Sequence, residues 1–516
     1  MAYTKAPAAQ NHDVKRIPAL GSPYVTTDIT HSPASLFYSN CFPLKEGQWG
    51  TDPLHAVHKR EGYTTTDCIG SVVGTGAMGA CTVQSYGTQL AFFAKGTTVY
   101  SFNYTTNTIT ALDVKGNYGY GFGTSFIDST NARRIAWLEA SGGGTTYLFS
   151  CDESAGTITT TNLAAITAEG NAGLVFIDGY LFAANANGTR IYNSDPAGAY
   201  TVWNTQNFID AEQYADRIGF IAKHHNYLVA LGQSSVEFFY NNSVEVGSPL
   251  ARQESYATRI GLYRSSSLSG GGSLAVNIED DIYFLGKTEQ DNVSLYRIKD
   301  FKVEEMDSQY MQNVFNDPNL EYYGLSVSVI NNNPCVIVNF RYNLPFAFLV
   351  REQAWWEVSG SDFAYFDTRL GQPFVPIFTT LGIAKPCYTL GQTTAGGTSV
   401  LKYEPDFSYV TSVAAQYTTE TIDFGVNRQK HLARIDAIGD YGDNDITLGI
   451  NPTPNYFETF VTMDPASQNA ATNTYEQPMS WYNCGSPRRF IARIGMEGTY
   501  PSIHRALEIE YNIGMQ

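Results

Sequence analysis

The sequence predicts an all-β protein: a β-propeller of six or seven blades with an N-terminal arm and a C-terminal β-sandwich-like domain. Three observations lead to this fold class. The 516 residues include 46 Gly and 35 Tyr, a mixture that suits short strands joined by tight turns. A strand–turn–strand pattern recurs along the chain. Helical periodicity, in contrast, is scarce.

The recurring pattern is an apolar strand, a polar turn and a second strand that ends in an aromatic residue. One first-strand residue from each occurrence marks the repeat, and successive marks are 44 to 55 residues apart: Leu90, Trp137, Leu181, Leu228, Tyr283, Val336 and Tyr388. This period matches one four-stranded propeller blade, which buries its faces against its neighbours. A row of small β-sandwich domains is the alternative, but no Pro- or Ser-rich linkers separate the units.

The pattern divides the chain into three predicted parts. Residues 1–60 carry many turn residues and little periodicity, which indicates an extended arm. Residues 61–411 hold the repeats and form the predicted propeller. Residues 412–516 contain longer strands, which indicate a separate β domain. Two helices are predicted, one over residues 303–315 and a shorter one over residues 208–214.

Composition and charge narrow the class of function. The formal net charge is −17, and an acidic surface binds phosphate backbones poorly, so a sequence-reading DNA-binding protein is disfavoured. The seven cysteines are scattered without a CxxC pair, which predicts reduced, buried thiols. The N-terminal residues do not resemble a signal peptide, and no apolar run is long enough for a membrane span, so synthesis in the cytoplasm is expected.

No motif predicts catalysis, a cofactor or a metal site. His55 and His58 form an HxxH pattern without a third ligand, and His224 and His225 are expected to be surface residues pointing to opposite faces. Asp440, Asp443 and Asp445 resemble a calcium loop in composition but lack the EF-hand spacing, so a polar hairpin tip is favoured and calcium stays open. We therefore predict a protein that is not an enzyme.

Residues 190–298 carry a more specific pattern. The pattern begins with a strand ending in Ser194-Asp195, followed by Trp203, Phe208, an Ala211-Glu212 pair and Asp216. A hairpin comes next, with apolar, Gly, Ser and Glu residues at fixed spacing: Leu228, Gly232, Ser235, Glu237 and Phe239. The segment Arg259-Ile-Gly261 follows the hairpin. This pattern resembles the packaged-DNA stabilisation proteins of short-tailed phages, also called tail hub or nozzle proteins. The Trp355-Trp356 pair resembles a later strand of that family.

The resemblance implies a structural role in the tail of a virion. It implies a homo-oligomer, expected to be a hexamer, that lies below the portal and the adaptor and holds genomic DNA in its lumen without reading its sequence. Fibres, spikes or a needle would attach to it. Trp203, Phe208 and Glu212 are expected to organise a blade junction, and Trp355 and Trp356 to anchor another blade.

Two other functions stay open at this point. A receptor- or glycan-binding tail protein would use exposed aromatic side chains to stack on sugars. A propeller hydrolase would need paired carboxylates over the central channel, and such carboxylates have no local sequence signature. Fold class alone does not choose among these readings.

Overall fold

A computed structural model of the chain describes strands, turns and one short helix in two units. The described residues are 13–18, 38–39, 41–49, 52–59, 63–65, 78–84, 90–95, 98–103, 106, 108–114, 118–141, 145–152, 158–167, 171–185, 188–196, 199–214, 216–243, 247–263, 274–278, 280–306, 309–317, 322–330, 333–340, 345–357, 388–392, 398–403, 413–419, 422, 428–441, 445–452, 461–463, 479–498 and 503–513.

In the first half of the chain, five strands come before the first blade, and the strands that follow form blades 1 to 4. The first five are β1 (Asp13–Pro18), β2 (Tyr38–Ser39), β3 (Cys41–Trp49), β4 (Asp52–Lys59) and β5 (Tyr63–Thr65). Blade 1 contains β6 (Met78–Gln84), β7 (Leu90–Lys95), β8 (Thr98–Asn103) and β9 (Thr108–Val114). Blade 2 contains β10 (Tyr118–Ile127), β11 (Arg133–Ser141), β12 (Thr145–Asp152) and β13 (Ile158–Thr167). Blade 3 contains β14 (Asn171–Ile177), β15 (Tyr180–Asn185), β16 (Arg190–Ser194) and β17 (Trp203–Asp210). Blade 4 contains β18 (Ile218–His224), β19 (Tyr227–Gly232), β20 (Val236–Asn241) and β21 (Leu250–Arg252), followed by a 3-10 turn at Glu254–Tyr256.

The second half of the chain contains the strands of the remaining blades and most strands of the smaller unit. Blade 5 contains β22 (Gly261–Leu262), β23 (Ala275–Ile278), β24 (Asp281–Lys287), β25 (Val293–Lys299) and β26 (Lys302–Glu305), and helix α1 (Gln309–Phe315) follows. Blade 6 contains β27 (Tyr322–Ile330), β28 (Asn333–Phe340) and β29 (Phe346–Leu349). Next come β30 (Ala354–Glu357), β31 (Tyr388–Gln392), β32 (Thr398–Tyr403) and β33 (Val413–Thr418). The last strands are β34 (Lys430–Asp440), β35 (Asp445–Asn451), β36 (Val461–Met463), β37 (Met479–Tyr482), β38 (Ile491–Gly498) and β39 (Ile503–Ile513).

The larger unit is a β-propeller, as the repeat predicts. Each of the seven repeated hairpins falls in a different sheet of the described residues, and its two strands are antiparallel neighbours in that sheet. One early strand of each blade contacts its counterpart in the next blade, in series from β6 through β10, β14, β18 and β23 to β27. Blade 7 combines β31 and β32 with β5, which comes from far earlier in the chain. The described part of the unit therefore contains seven blades. The seventh blade joins strands from the beginning and the end of the unit.

Apolar cores lie on both faces of a blade. In blade 3, Phe182 and Ala184 belong to a core shared with blade 4, while Leu181 and Ala183 belong to a core shared with blade 2. Successive side chains of a strand point to opposite faces, so a blade between two neighbours needs apolar residues at every position. This requirement explains the nearly uninterrupted apolar run of β15.

The smaller unit contains described strands from residues 1–62, 351–360 and 404–516. One of its sheets has the order β3-β4-β39-β34-β37, with β1 also paired to β39, and the other the order β30-β2-β33-β38-β35-β36. Phe42 lies 5.5 Å from Trp356, and Tyr417 lies 5.2 Å from His504, between ring centroids, so the sheets pack against each other. The boundaries predicted at 60/61 and 411/412 stay predictions.

Both helix predictions need correction. Helix α1 begins at Gln309, because Val303 pairs with Ile298 in a hairpin whose turn residues, Asp300 and Phe301, have φ values of 48° and 63°. Residues 208–210 extend strand β17, in which Phe208 pairs with Tyr192. In both places apolar spacing resembled a helix, but cross-strand pairing determined the conformation.

Candidate functional site at the junction of blades 3 and 4

The connection between blades 3 and 4 contains Asp216, whose carboxylate receives several hydrogen bonds from blade 4. The Ser234 amide donates to Oδ2 over 2.7 Å, and the Ser234 hydroxyl donates to the same atom over 3.0 Å. The buried Ser235 hydroxyl lies 3.1 Å from Oδ2 and 3.2 Å from Oδ1. One carboxylate therefore ties the connecting segment to the β19–β20 hairpin.

Glu237 makes a second attachment of this segment. Its side chain is 1 % exposed, and Arg252 Nε lies 2.9 Å from its Oε2. The Gln213 amide donates to Glu237 Oε1 over 3.1 Å, and Arg252 Nη2 donates to the carbonyl of Asp210 over 2.6 Å. Burial raises the pKa of Glu237, and the Arg252 charge opposes that rise. A buried carboxylate of this kind is costly unless it is paired. Here Arg252 of the same blade pairs with Glu237, and the Gln213 amide bonds to it from across the junction.

Two glycines of the same pattern permit close approaches. A Cβ at Gly232 would overlap the carboxylate of Asp216, and a Cβ at Gly261 would overlap the carbonyl oxygen of Gln233. The Gly261 approach brings the start of blade 5 against the β19–β20 hairpin. The residues of the 190–298 pattern thus hold three successive blades together.

The predicted role of Trp203 fits its position. Trp203 begins strand β17 and packs with Tyr200 against the apolar core between blades 2 and 3. Its Nε1 donates to the Tyr200 carbonyl over 3.0 Å. Tyr200 makes an edge contact with Phe126 of blade 2, with 5.2 Å between ring centroids. The assignment of Trp203 to a blade junction stays a prediction, and its surroundings support it.

Phe208 and Glu212 lie at the outer part of blade 3. The Arg190 guanidinium lies 4.1 Å from the Phe208 ring centroid, and the Tyr192 ring lies 5.8 Å away. Glu212 is exposed and accepts a hydrogen bond from the Thr189 hydroxyl over 3.2 Å. These contacts lie within the blade and at its edge.

The tryptophan pair lies in β30, a strand of the smaller unit. Trp356 is 1 % exposed and packs on Phe42, whereas Trp355 is half-buried. Next to the pair, Glu357 pairs in parallel with Ser39 of β2. The role predicted for Trp355 and Trp356 as anchors of a blade stays untested.

The expectation that both histidines of the 224–225 pair lie at the surface is wrong for His224. His224 is fully buried, and its ring centroid lies 4.3 Å from that of His225. The alternation argument fails because His225 is a turn residue with φ of 50° rather than a strand residue. Sequence reasoning also missed Arg252, although a lone Glu in the apolar strand β20 signals the need for a basic partner.

The described part of the chain contains no group of three or more His, Cys, Asp or Glu side chains placed to bind a metal. Asp440, from the Asp-rich loop, is paired with Arg505 over 2.7 Å. Both positions of the HxxH pattern, 55 and 58, lie in strand β4. No helix within the described residues is long and apolar enough to cross a membrane.

Fold and junction together define a class of protein: a structural β-propeller whose characteristic polar residues hold successive blades together. Residues 74–341, which include this junction, match the family model described as "Bacteriophage P22 Gp10, beta-propeller". The chain belongs to this phage stabilisation family, as the resemblance of residues 190–298 predicted. It is therefore a structural component of a phage virion.

Other comparisons give weaker similarities. None of the curated proteins matches the chain. Similar solved structures include Chaetomium thermophilum Raptor, at 11 % identity and a TM-score of 0.37, with 67 % of this chain and 30 % of that chain covered. A chain of the Mitotic Checkpoint Complex has 11 % identity, a TM-score of 0.40 and coverage of 70 % and 97 %. The RRP9 WD40 repeats have 10 % identity, a TM-score of 0.39 and coverage of 67 % and 100 %.

Proposed function

We propose that this protein is the tail hub, or nozzle, of a short-tailed phage. Copies of the chain form a ring below the portal and the adaptor, extend the DNA conduit, retain the packaged genome and take part in its ejection. The family match over residues 74–341 is the observation that carries this proposal. The ring is a homohexamer, and fibres, spikes or a needle attach to it.

The use of buried polar groups supports a mechanical role. Asp216 and Glu237 accept hydrogen bonds that join the segment after blade 3 to blade 4. Hydrogen bonds and ion pairs between buried groups of this kind make a fold rigid and specific. A conduit that retains compressed DNA needs such rigidity, and its residues act by packing and pairing. The proposal assigns no catalysis and no cofactor to this protein.

The charge of the chain supports a lumen that does not bind DNA. Each copy carries a formal charge of −17, so six copies carry 6 × −17 = −102. Protein affinity for DNA depends largely on Lys and Arg replacing counterions, so acidic walls let a duplex slide without sticking. The protein is made in the host cytoplasm and then becomes part of the virion tail.

The test is cryo-electron microscopy of the protein mixed with its portal and adaptor. We expect a six-fold ring of propellers around a channel wide enough for duplex DNA. A Gly261→Ala variant is expected to lose ring formation, while Gly188→Ala, where the nearest atoms lie 3.5 Å from an added Cβ, retains it. Isolated monomers or peripheral trimers that bind host cells would contradict the proposal and support a receptor- or glycan-binding tail protein.

A further inference from the structure

Blades 4 and 5 meet through a cluster of rings that we call the aromatic clasp: His224, His225, Tyr227, Tyr256 and Phe301. Phe301 lies in the β25–β26 turn of blade 5 and projects onto blade 4. Its ring centroid lies 4.6 Å from that of Tyr256 at an interplanar angle of 11°, and 4.7 Å from that of Tyr227. It also makes an edge contact with His224 at 5.2 Å. Side chains of the clasp therefore join the two blades.

The conformation of the backbone at the clasp is unusual. Phe301 has a φ of 63°, and His225, in the β18–β19 turn, has a φ of 50°. A bulky residue such as Phe rarely adopts this left-handed region, where Gly, Asn, Asp and His are more common. Residues held in such conformations persist only when surrounding contacts compensate for the cost. Here the compensating contacts are those of the clasp itself.

His224 uses both ring nitrogens within the clasp. Its Nδ1 lies 2.7 Å from the carbonyl oxygen of Asp280 in blade 5, and the Phe301 amide donates to Nε2 over 3.4 Å. A carbonyl only accepts and an amide N–H only donates, so the arrangement requires a neutral imidazole with its proton on Nδ1. A second proton on Nε2 would face the Phe301 N–H, and two donors cannot bond to each other.

The charged surroundings of His224 come from several elements. His225 is adjacent, and its Nδ1 lies 3.9 Å from Oδ2 of Asp280. Burial lowers the pKa of His224 and His225 lowers it further, whereas the Asp280 carbonyl and the carboxylates of Asp281 and Asp280 raise it. The titratable and charged groups around the clasp are His225, Lys223, Tyr227, Tyr256, Asp280, Asp281, Arg297, Lys299 and Asp300.

We propose that the aromatic clasp is acid-sensitive: protonation of His224 at Nε2 breaks its bond with the Phe301 amide and releases the β25–β26 turn from blade 4. The proton comes from solvent, and the imidazolium, which is fully buried in the closed clasp, moves toward water because an unpaired buried charge is costly. Protonation would thereby loosen one junction of the propeller while leaving the bonds of Asp216 and Glu237 in place.

Hydrogen–deuterium exchange of the intact protein tests this mechanism. Exchange into the segment 296–306 is measured between pH 7.5 and pH 5 and corrected for the intrinsic pH dependence of exchange. Since the open clasp takes up one more proton than the closed one, the protection factor at the Phe301 amide should fall up to about tenfold per pH unit below about 6.5. An unchanged protection factor over this range would overturn the proposal.

Three variants test whether His224 is the residue whose protonation opens the clasp. His224→Gln, whose amide can both donate and accept, should abolish the pH response of segment 296–306. His225→Asn suits the left-handed turn and retains His224, so it should keep the response, as should the control His431→Gln at an exposed position of the smaller unit. A response that persists in His224→Gln, or disappears in His225→Asn, would refute the assignment to His224.

A measurement on the unmodified chain covers the case in which His224→Gln does not fold. In protein labelled with nitrogen-15 at histidine, the signals of His224 should show the Nδ1–H neutral tautomer at pH 7.5 and titrate below about 6.5. The opposite tautomer, or a protonated ring at pH 7.5, would contradict the proposal.

Discussion

At the scale of single residues, the most constrained position described is Gly261. Its φ lies outside the left-handed region, so steric space rather than backbone conformation excludes a side chain there. A Cβ would overlap the carbonyl oxygen of Gln233, a backbone atom that cannot move without shifting the β19–β20 hairpin. The same hairpin contains Ser234 and Ser235, which bind Asp216.

We therefore expect Gly261→Ala to destabilise the propeller by about 1–3 kcal/mol, as overpacking of a tight contact does. Thermal unfolding should show a lower Tm. Gly188→Ala is the matched control, since the nearest atoms lie 3.5 Å from an added Cβ, and it should change Tm little. Equal Tm values for the two variants would contradict the close approach at Gly261.

Asp216 offers a second test at this scale. Asp216→Ala removes the acceptor of the Ser234 amide and of the buried Ser235 hydroxyl, which should cost about 1–3 kcal/mol because the buried hydroxyl loses its partner. Urea unfolding measures the loss. The control is Glu254→Ala, which removes an exposed carboxylate from the 3-10 turn of the same blade, and a comparable loss there would mean that charge alone is responsible.

The lowered pKa of Asp128 in blade 2 predicts that stability depends on pH in the acid range. Burial raises its pKa, but hydrogen bonds from Thr130, Arg134 and the Ala132 amide outweigh burial and lower the pKa to about 2. The ordinary value of 3.8 is higher, so the unfolded chain binds this proton first. The stabilisation is complete above pH 3.8 and is lost as pH falls toward 2. Asp128→Asn should reduce stability at pH 6 and make it less pH-dependent below pH 4 in urea titrations.

At the scale of elements, turns of one blade bind the first hairpin of the preceding blade. Tyr200 of blade 3 packs on Phe126 of blade 2, and Phe301 of blade 5 packs on His224 of blade 4. Between blades 3 and 4 the contact is polar, because the Asn241 and Asn226 amides both donate to Asp178. The blades are thus joined at their turns as well as through their apolar faces.

In the smaller unit, the burial of His504 predicts a second loss of stability at low pH. It is fully buried beside Tyr441 and Tyr417, and burial lowers its pKa to about 3. The unfolded chain, with an ordinary value of 6.5, binds this proton first, so the stability of this unit should fall as pH decreases from 6.5 toward 3. In His504→Asn the decline in urea resistance over this range should be shallower, whereas His431→Asn should retain it. Parallel declines in all three proteins would exclude His504 as the cause.

At the scale of the whole molecule, net charge governs self-association. An isolated ring must bring together copies that each carry −17, and this repulsion is screened by salt. We expect the purified chain to be mostly monomeric at about 0.05 M salt and to associate more at about 0.5 M, where the Debye length is several-fold shorter. Sedimentation measures the distribution. Stable hexamers at the lower salt concentration would contradict this expectation.

The sequence by itself determined the repeating part of the fold. Alternation of apolar residues, aromatic strand ends and turn residues are local properties, so the hairpins at Leu90 through Tyr388 and the family pattern around Glu237 were readable without a structure. Residues of that pattern were identifiable, but their partners were not: nothing near Glu237 in the sequence indicates that Arg252, fifteen positions later, neutralises it.

Only the tertiary structure decided what depends on a neighbouring element. His224 is buried because the turns of blade 5 cover it, residues 303–305 form a strand because β25 offers a partner, and β5 joins β32 across more than 300 residues of chain. Local patterns record the face that a residue must bury, whereas the identity of the covering surface depends on contacts between distant segments. That is why the blades could be predicted, while the junctions that hold them together could not.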